Sequence, residues 1–234
     1  SDAAALSQAQ LVVWVGAGLE NFLERALAAL ADKAEILEVL KTDGLETLPT
    51  RAGGLWEEEA DEHHEHEHEH EHEHDHGATD PHLWLAPNNA AKIAALIGER
   101  LAALDSEHAD TYRTNVRRFT ERMLVLDRDL TARLAPVKTR PFIVFHDAYQ
   151  YFEHHFGLNG AGSITLSPEE QPSAARVAAL RTRIESGKIA CIYAEPQFSP
   201  ALLAPLTEGT KAGVGTLNPD ASDLPVNAEL YPAY

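Results

Sequence analysis

Thirteen histidines are spread unevenly along this chain. His63, His64, His66, His68, His70, His72, His74 and His76 sit in one tract where imidazole alternates with carboxylate. Neutral imidazole is a common ligand for zinc, copper and nickel, so the tract reads as metal-binding on composition. The interior histidines have an acid on each side, and nearby negative charge favours the protonated ring. Protons then compete with metal, which implies weak, exchangeable and pH-sensitive binding. The competing readings are a purification tag or a bare solvated charge run. A tag belongs at a terminus and this tract is internal, which favours metal capture. Residues 62–76 contain no apolar side chain to offset the entropy of ordering, so a solvated, mobile loop is expected.

A few residues on, Asp80-Pro81-His82-Leu83-Trp84-Leu85 sets one histidine among a proline and large apolar residues, where an imidazole is held rather than solvated. His146 closes the apolar run Phe142 to Phe145. A lone histidine is ordinarily satisfied by a neighbouring carbonyl. Its place at the carboxyl end of a strand, where open α/β sheets collect ligands, points to binding instead. Asp147 is a possible orienting partner for an imidazole, with its role left open. His154 and His155 read as exposed residues on a helix, and His108, between acids near a helix start, as solvated. Glu195, in Ala194-Glu195-Pro196-Gln197, could serve as an acid or base, but H-E-x-x-H, G-x-S-x-G and a phosphate-binding glycine loop are all missing. Cys191, in an apolar strand, reads as an inert small hydrophobe.

At 234 residues the chain can build one large domain or two lobes. Residues 57–80 hold twelve acids and no Lys or Arg, so of the net charge of −18 only −6 belongs to the remainder. The acidity is therefore local, and nothing basic enough to track phosphates argues for nucleic acid as a partner. A single cysteine excludes an internal disulfide and a cysteine-based zinc site. No apolar run approaches the ~20 residues that span a bilayer, and the opening SDAAALSQAQ lacks a signal-peptide pattern.

The elements that must position these histidines follow from periodicity. Residues 11–16 read as a buried strand, and apolar residues at Leu19, Phe22, Leu23, Leu27 and Leu30 as a helix with one inner face. Residues 34–41 are ambiguous. Asn88 or Asn89 is expected to cap a helix reaching Leu104, with Ile93, Leu96 and Ile97 inward. Residues 106–134 lack Pro and Gly, and Tyr112, Val116, Phe119, Met123, Leu126 and Leu130 recur at helical spacing. At ~1.5 Å per residue such a helix spans roughly 43 Å, the length of a connector between lobes. Strands at 141–145, 163–166, 189–193 and 213–217 then alternate with helices at 147–156, 172–185 and 200–207, which implies a parallel sheet covered on both faces. The expected organisation is an N-terminal lobe over 1–105 with a disordered loop at 57–79, a linker helix over 106–136, and a C-terminal lobe over 137–234.

Taken in order, Leu11-Val12-Val13-Trp14-Val15-Gly16, the His-rich tract, His82-Leu83-Trp84-Leu85-Ala86-Pro87, Phe145-His146-Asp147-Ala148-Tyr149 with Tyr151-Phe152-Glu153, and Ala194-Glu195-Pro196-Gln197-Phe198 resemble the ZnuA-like proteins, the periplasmic zinc-binding proteins of ABC importers, over essentially the whole chain. The resemblance implies an α/β fold of two parallel-sheet lobes joined by one long helix, with Zn2+ in the cleft between them. His82 and His146 are then two of three zinc-binding histidines. Related manganese-binding proteins carry a carboxylate where His146 stands, and an imidazole there favours zinc.

The resemblance also shows departures. The family's first zinc histidine lies upstream of residue 1, and Leu217-Asn218-Pro219-Asp220 replaces an Asp-Pro-Leu-Gly turn, so an Asp220 ligand is displaced by two residues. The family's final helix, with the cysteine that would pair with Cys191, is not reached, so the chain is expected to be shortened at both ends. The function expected is non-enzymatic: a periplasmic, monomeric binding protein that captures Zn2+ and delivers it to a membrane permease without itself spanning the membrane. A metal buffer or sensor acting through the tract is the alternative, and a zinc hydrolase a third.

Overall fold

Four residues rich in β-branched and aromatic side chains, Leu11–Trp14, form β1. The stretch that hydropathy leaves undecided supplies its partner, β2 (Glu35–Glu38), in parallel register from Leu11 opposite Glu35 to Trp14 opposite Glu38. The computed structural model describes residues 2–31, 33–52, 55–56, 79–167, 171–198, 203–227 and 230–233. The chain divides into two compact units, residues 1–48 with 79–133 and residues 49–78 with 134–234.

In the first unit, α1 (Asp2–Gln8) precedes β1. A parallel pair needs a crossover, and here it is built from α2 (Ala17–Glu20), a 3-10 turn at Asn21–Leu23 and α3 (Glu24–Leu30). The single helix expected across 19–30 is therefore broken. The Glu20 carboxylate turns back to accept the Val15 N–H at 2.6 Å and the Gly16 N–H at 3.4 Å, tying the first turn to the end of β1. The interruption shifts the helical phase, and Phe22, expected inside, is 73% exposed. Trp14, Leu27 and Ala31 form the core beneath, with Leu6, Val12, Leu23 and Ala34 packed against it.

The helix expected after His82 forms as α4 (Pro87–Leu104), but neither asparagine caps it. Pro87 sits in the first turn, where its missing N–H costs nothing. Asn89 is fully buried, its amide donating to the Glu46 carbonyl at 2.9 Å and accepting the Glu46 N–H at 3.0 Å. Its side chain pins the preceding loop. The long helix follows as a 3-10 turn at Ser106–His108 and α5 (Ala109–Leu134). Its expected inner positions are buried or half-buried, with Met123 at the centre, while Leu124 and Val125 face out. Among the described residues no helix is long and apolar enough to cross a membrane.

The second unit alternates β3 (Phe142–His146), α6 (Gln150–Phe156), β4 (Gly160–Thr165), α7 (Ala174–Glu185), β5 (Cys191–Ala194), α8 (Ala204–Thr207) and β6 (Gly213–Thr216), with α9 (Leu230–Ala233) near the end. All strand pairs are parallel, in the order β4-β3-β5-β6. The helix at α7 starts two residues later than its apolar pattern suggests, because the Ser173 side chain accepts the Arg176 N–H and so caps the first turn. Residues 143–146 are buried throughout, as befits a strand with helices on both faces. The core joins Ile143 and Phe145 to Ile164, Leu180, Ile184, Ile192 and Leu206.

Gly98 on α4 shows how closely α4 and α5 approach. A Cβ there would lie 2.2 Å from Val116 Cγ2. Gly98→Ala is expected to lower stability in urea unfolding by about 1–3 kcal/mol, the usual cost of overpacking, and by less when Val116 is already alanine. Equal losses in the two backgrounds would contradict the close approach.

Candidate metal centre

Chain order in the second sheet reverses about β3: the chain adds β4 on one side, then β5 and β6 on the other. Such reversals open crevices at the carboxyl ends of strands. Phe142 pairs with Cys191 and Ile143 with Ile192. Continuing that register brings His146, the last residue of β3, opposite Glu195, the first residue after β5. The His146 Nδ1 lies 2.8 and 2.7 Å from the two Glu195 carboxylate oxygens, and the His146 backbone N–H donates to the same carboxylate at 3.1 Å. Both residues are buried. Phe198 stacks on Phe145 at 4.1 Å and meets the His146 ring edge-on at 6.3 Å, closing one flank. A cavity of about 210 Å³ opens at this strand edge, lined by Phe145, Glu195, Phe198 and Thr216 among others.

The first unit builds a similar pair from local sequence. Asp80 makes an Asx-type turn, accepting both the His82 N–H at 2.9 Å and the His82 Nδ1 at 2.8 Å. Asp80 is itself held by its N–H, which donates to the Leu48 carbonyl at 2.8 Å. Leu83 and Leu85, in the 3-10 turn that follows, are buried and anchor the segment, and the Trp84 ring lies 5.4 Å from the imidazole.

The two histidines thus share one arrangement. A carboxylate offers acceptors, so the ring nitrogen facing it carries the hydrogen, and Nδ1–H fixes the tautomer in which Nε2 presents its lone pair. An imidazole held this way is the usual form of a metal-ligating histidine, with the carboxylate fixing the orientation of the ring. The donor chemistry therefore fits a borderline divalent cation. Among the described residues no group of three or more His, Cys, Asp or Glu side chains stands ready to hold an ion.

Sequence reading chose both histidines but not their partners. Asp147, beside His146, turns to Arg51: the Arg51 Nε donates to both Asp147 oxygens at 3.1 Å, and an Arg51 terminal nitrogen also donates to Oδ1. Glu195, considered only as an acid or base, is the group that orients His146. Its signal was the strand-end position one register step from His146, legible only once the strand order is known. The Asp80 signal was nearer at hand, an aspartate two residues before a histidine. His155, read as exposed beside His154, is half-buried and edge-on to Phe156 at 4.7 Å. His108 is exposed as expected, with Nδ1 2.9 Å from Asp105. The Asp105 carboxyl titrates below its usual range, chiefly through the hydrogen bond from Tyr112. Asp220 is exposed and accepts from Gln197 Nε2 at 3.2 Å, which also donates to Asn218 at 2.9 Å. His63, His64, His66, His68, His70, His72, His74 and His76 lie outside the described residues.

Comparison with known proteins decides the family. The family model described as zinc-uptake complex component A, periplasmic, matches residues 1–232. The chain belongs to that family. It is 41% identical over 253 residues to the high-affinity zinc uptake system protein ZnuA of Brucella abortus, covering 99% of this chain and 75% of that protein. Among solved structures, a crystal structure of ZnuA superposes with a TM-score of 0.76 at 27% identity, covering 99% of this chain and 80% of the other. A ZnuA deletion mutant crystallised with zinc bound gives a TM-score of 0.71 at 26% identity, covering 98% and 76%. The family comprises periplasmic components of zinc uptake, not enzymes, and its architecture agrees with the two parallel sheets and long helix expected here.

Nitrogen-resolved NMR of the imidazoles in metal-free protein is expected to find both His82 and His146 as Nδ1–H tautomers. Glu195→Ala should release His146 into a mixture while leaving His82 unchanged. An unaltered His146 signal would show that Glu195 does not set the tautomer.

Proposed function

We propose that this chain captures Zn2+ in the periplasm through the Nε2 atoms of His82 and His146 and delivers it to the membrane permease of an ABC-type importer. The observation that carries the reading is that each imidazole has its Nδ1 against a buried carboxylate, Asp80 or Glu195. Two rings oriented by carboxylates in the same tautomer offer two nitrogen donors of matched kind to an arriving ion. Membership of a zinc-uptake family and the zinc named for its relatives supply the cargo.

In this reading one ion is shared by the two histidines, seated in a cleft between the lobes. Tetrahedral zinc then has two further positions, open to a third imidazole, to water or to the Asp220 carboxylate. Capture and release require an exchangeable site, and water in the coordination sphere provides one. The protein acts as a monomeric carrier whose partner is the permease. The His/Glu tract gathers ions with low affinity, so that deleting residues 62–76 should cost capacity but leave one tight site. Loss of nearly all binding would instead make the chain a buffer.

Zinc titration by calorimetry tests the central assignment. His82→Ala and His146→Ala are each expected to abolish the tight phase while the weak phase persists. If both variants titrate like the parent, the two histidines do not share an ion and the proposal fails.

A further inference from the structure

Behind His146 lies a group of charges that the zinc-carrier reading does not use. Arg51 binds Asp147 through Nε and a terminal nitrogen, and its other terminal nitrogen donates to Glu153 Oε2 at 2.6 Å. Its guanidinium lies 3.4 Å above the Trp56 ring centroid. The segment carrying Arg51 is fastened alongside β4, with the Trp56 N–H donating to the Ala161 carbonyl at 3.3 Å and Leu55 bridging to Gly162. Glu153 is wedged against the backbone: a Cβ on Gly160 would lie 2.4–2.6 Å from its carboxylate atoms. Asp147 and Glu153 are both buried, and the Arg51 side chain is 19% exposed. This is a planar cation built into a fixed seat.

Asp147 is the peptide neighbour of His146, one Cα step of ~3.8 Å away. A buried carboxylate without a cationic partner is strongly disfavoured, and Arg51 supplies that partner to Asp147. Carboxylate oxygen is the donor preferred by harder ions such as manganese, whereas imidazole nitrogen suits zinc. Engaging Asp147 at both oxygens therefore changes which donors the His146 side of the site can offer.

We infer that Arg51 is a specificity-determining residue: by clasping Asp147 it withholds an oxygen donor from the metal held by His146 and so favours zinc over harder divalent ions. This rests on the zinc-carrier reading above. Arg51 touches no metal and acts only through Asp147. Lysine in its place keeps the charge but cannot span both carboxylates with a planar fork.

The test is competitive titration of the full chain with zinc and manganese, in the parent, in Arg51→Lys, and in Arg51→Lys combined with Asp147→Asn, with melting curves to confirm folding. The parent must first show a tight zinc phase that His146→Ala removes; its absence would sink the zinc-carrier reading, not the role of Arg51. Given that phase, Arg51→Lys is expected to reduce the zinc-to-manganese preference ~10-fold or more, within the range typical of groups that support metal ligands. Asp147→Asn in the same background is expected to restore it. A folded Arg51→Lys with unchanged preference, or a lowered preference that Asp147→Asn does not restore, overturns the inference. A purely structural arginine would weaken both metals in parallel and is counted against it.

Discussion

The contact between the His146 imidazole and the Glu195 carboxylate is the constraint on which the geometry at the strand edge of the second unit depends. It exists because β3 and β5 are parallel neighbours whose register brings the last residue of one strand opposite the first residue beyond the other. His146 and Glu195 are both buried where these strands end, and a buried carboxylate and imidazole meeting there have each other as natural partners. The ring is then oriented, its tautomer set, and its Nε2 committed to the side away from Glu195. Phe198, stacked on Phe145, packs one flank and keeps the ring from swinging.

The first unit reaches the same chemical result by a different route. Its pair is local: Asp80 folds back on His82 within one turn, and Leu83 and Leu85 hold that turn in place by burial. A parallel sheet spends long crossovers to bring two residues together, while an Asx-type turn needs only two positions. That the two units arrive at one carboxylate–imidazole arrangement from unlike backbones suggests a requirement of the chemistry rather than of the fold.

Much of this was legible in the sequence, and the failures have physical causes. The long helix was plain because 29 residues without a breaker and a continuous apolar stripe admit little else, and its inward residues are those that the spacing picked out. His82 and His146 stood out because an imidazole among large apolar residues or at a strand end must be held by something. What held them was hidden: Glu195 follows His146 by 49 positions, and only strand order relates them. The role of Asp147 could not be settled from its place beside His146, because the partner it takes, Arg51, comes from 96 positions away. The crossover after β1 was misread for a local reason, since Glu20 hydrogen-bonds back to the strand end and breaks a helix that propensity alone would continue. Asn89 likewise looked like a cap but is consumed by the Glu46 backbone.

The most direct measurement of the account is a crystal structure of the zinc-loaded chain. The expected result is one zinc ion bonded to Nε2 of both His82 and His146 at ~2.0–2.1 Å, with Asp80 and Glu195 still on the opposite nitrogens. An ion bound elsewhere, or coordinated through Nδ1 with the carboxylates displaced, would contradict it.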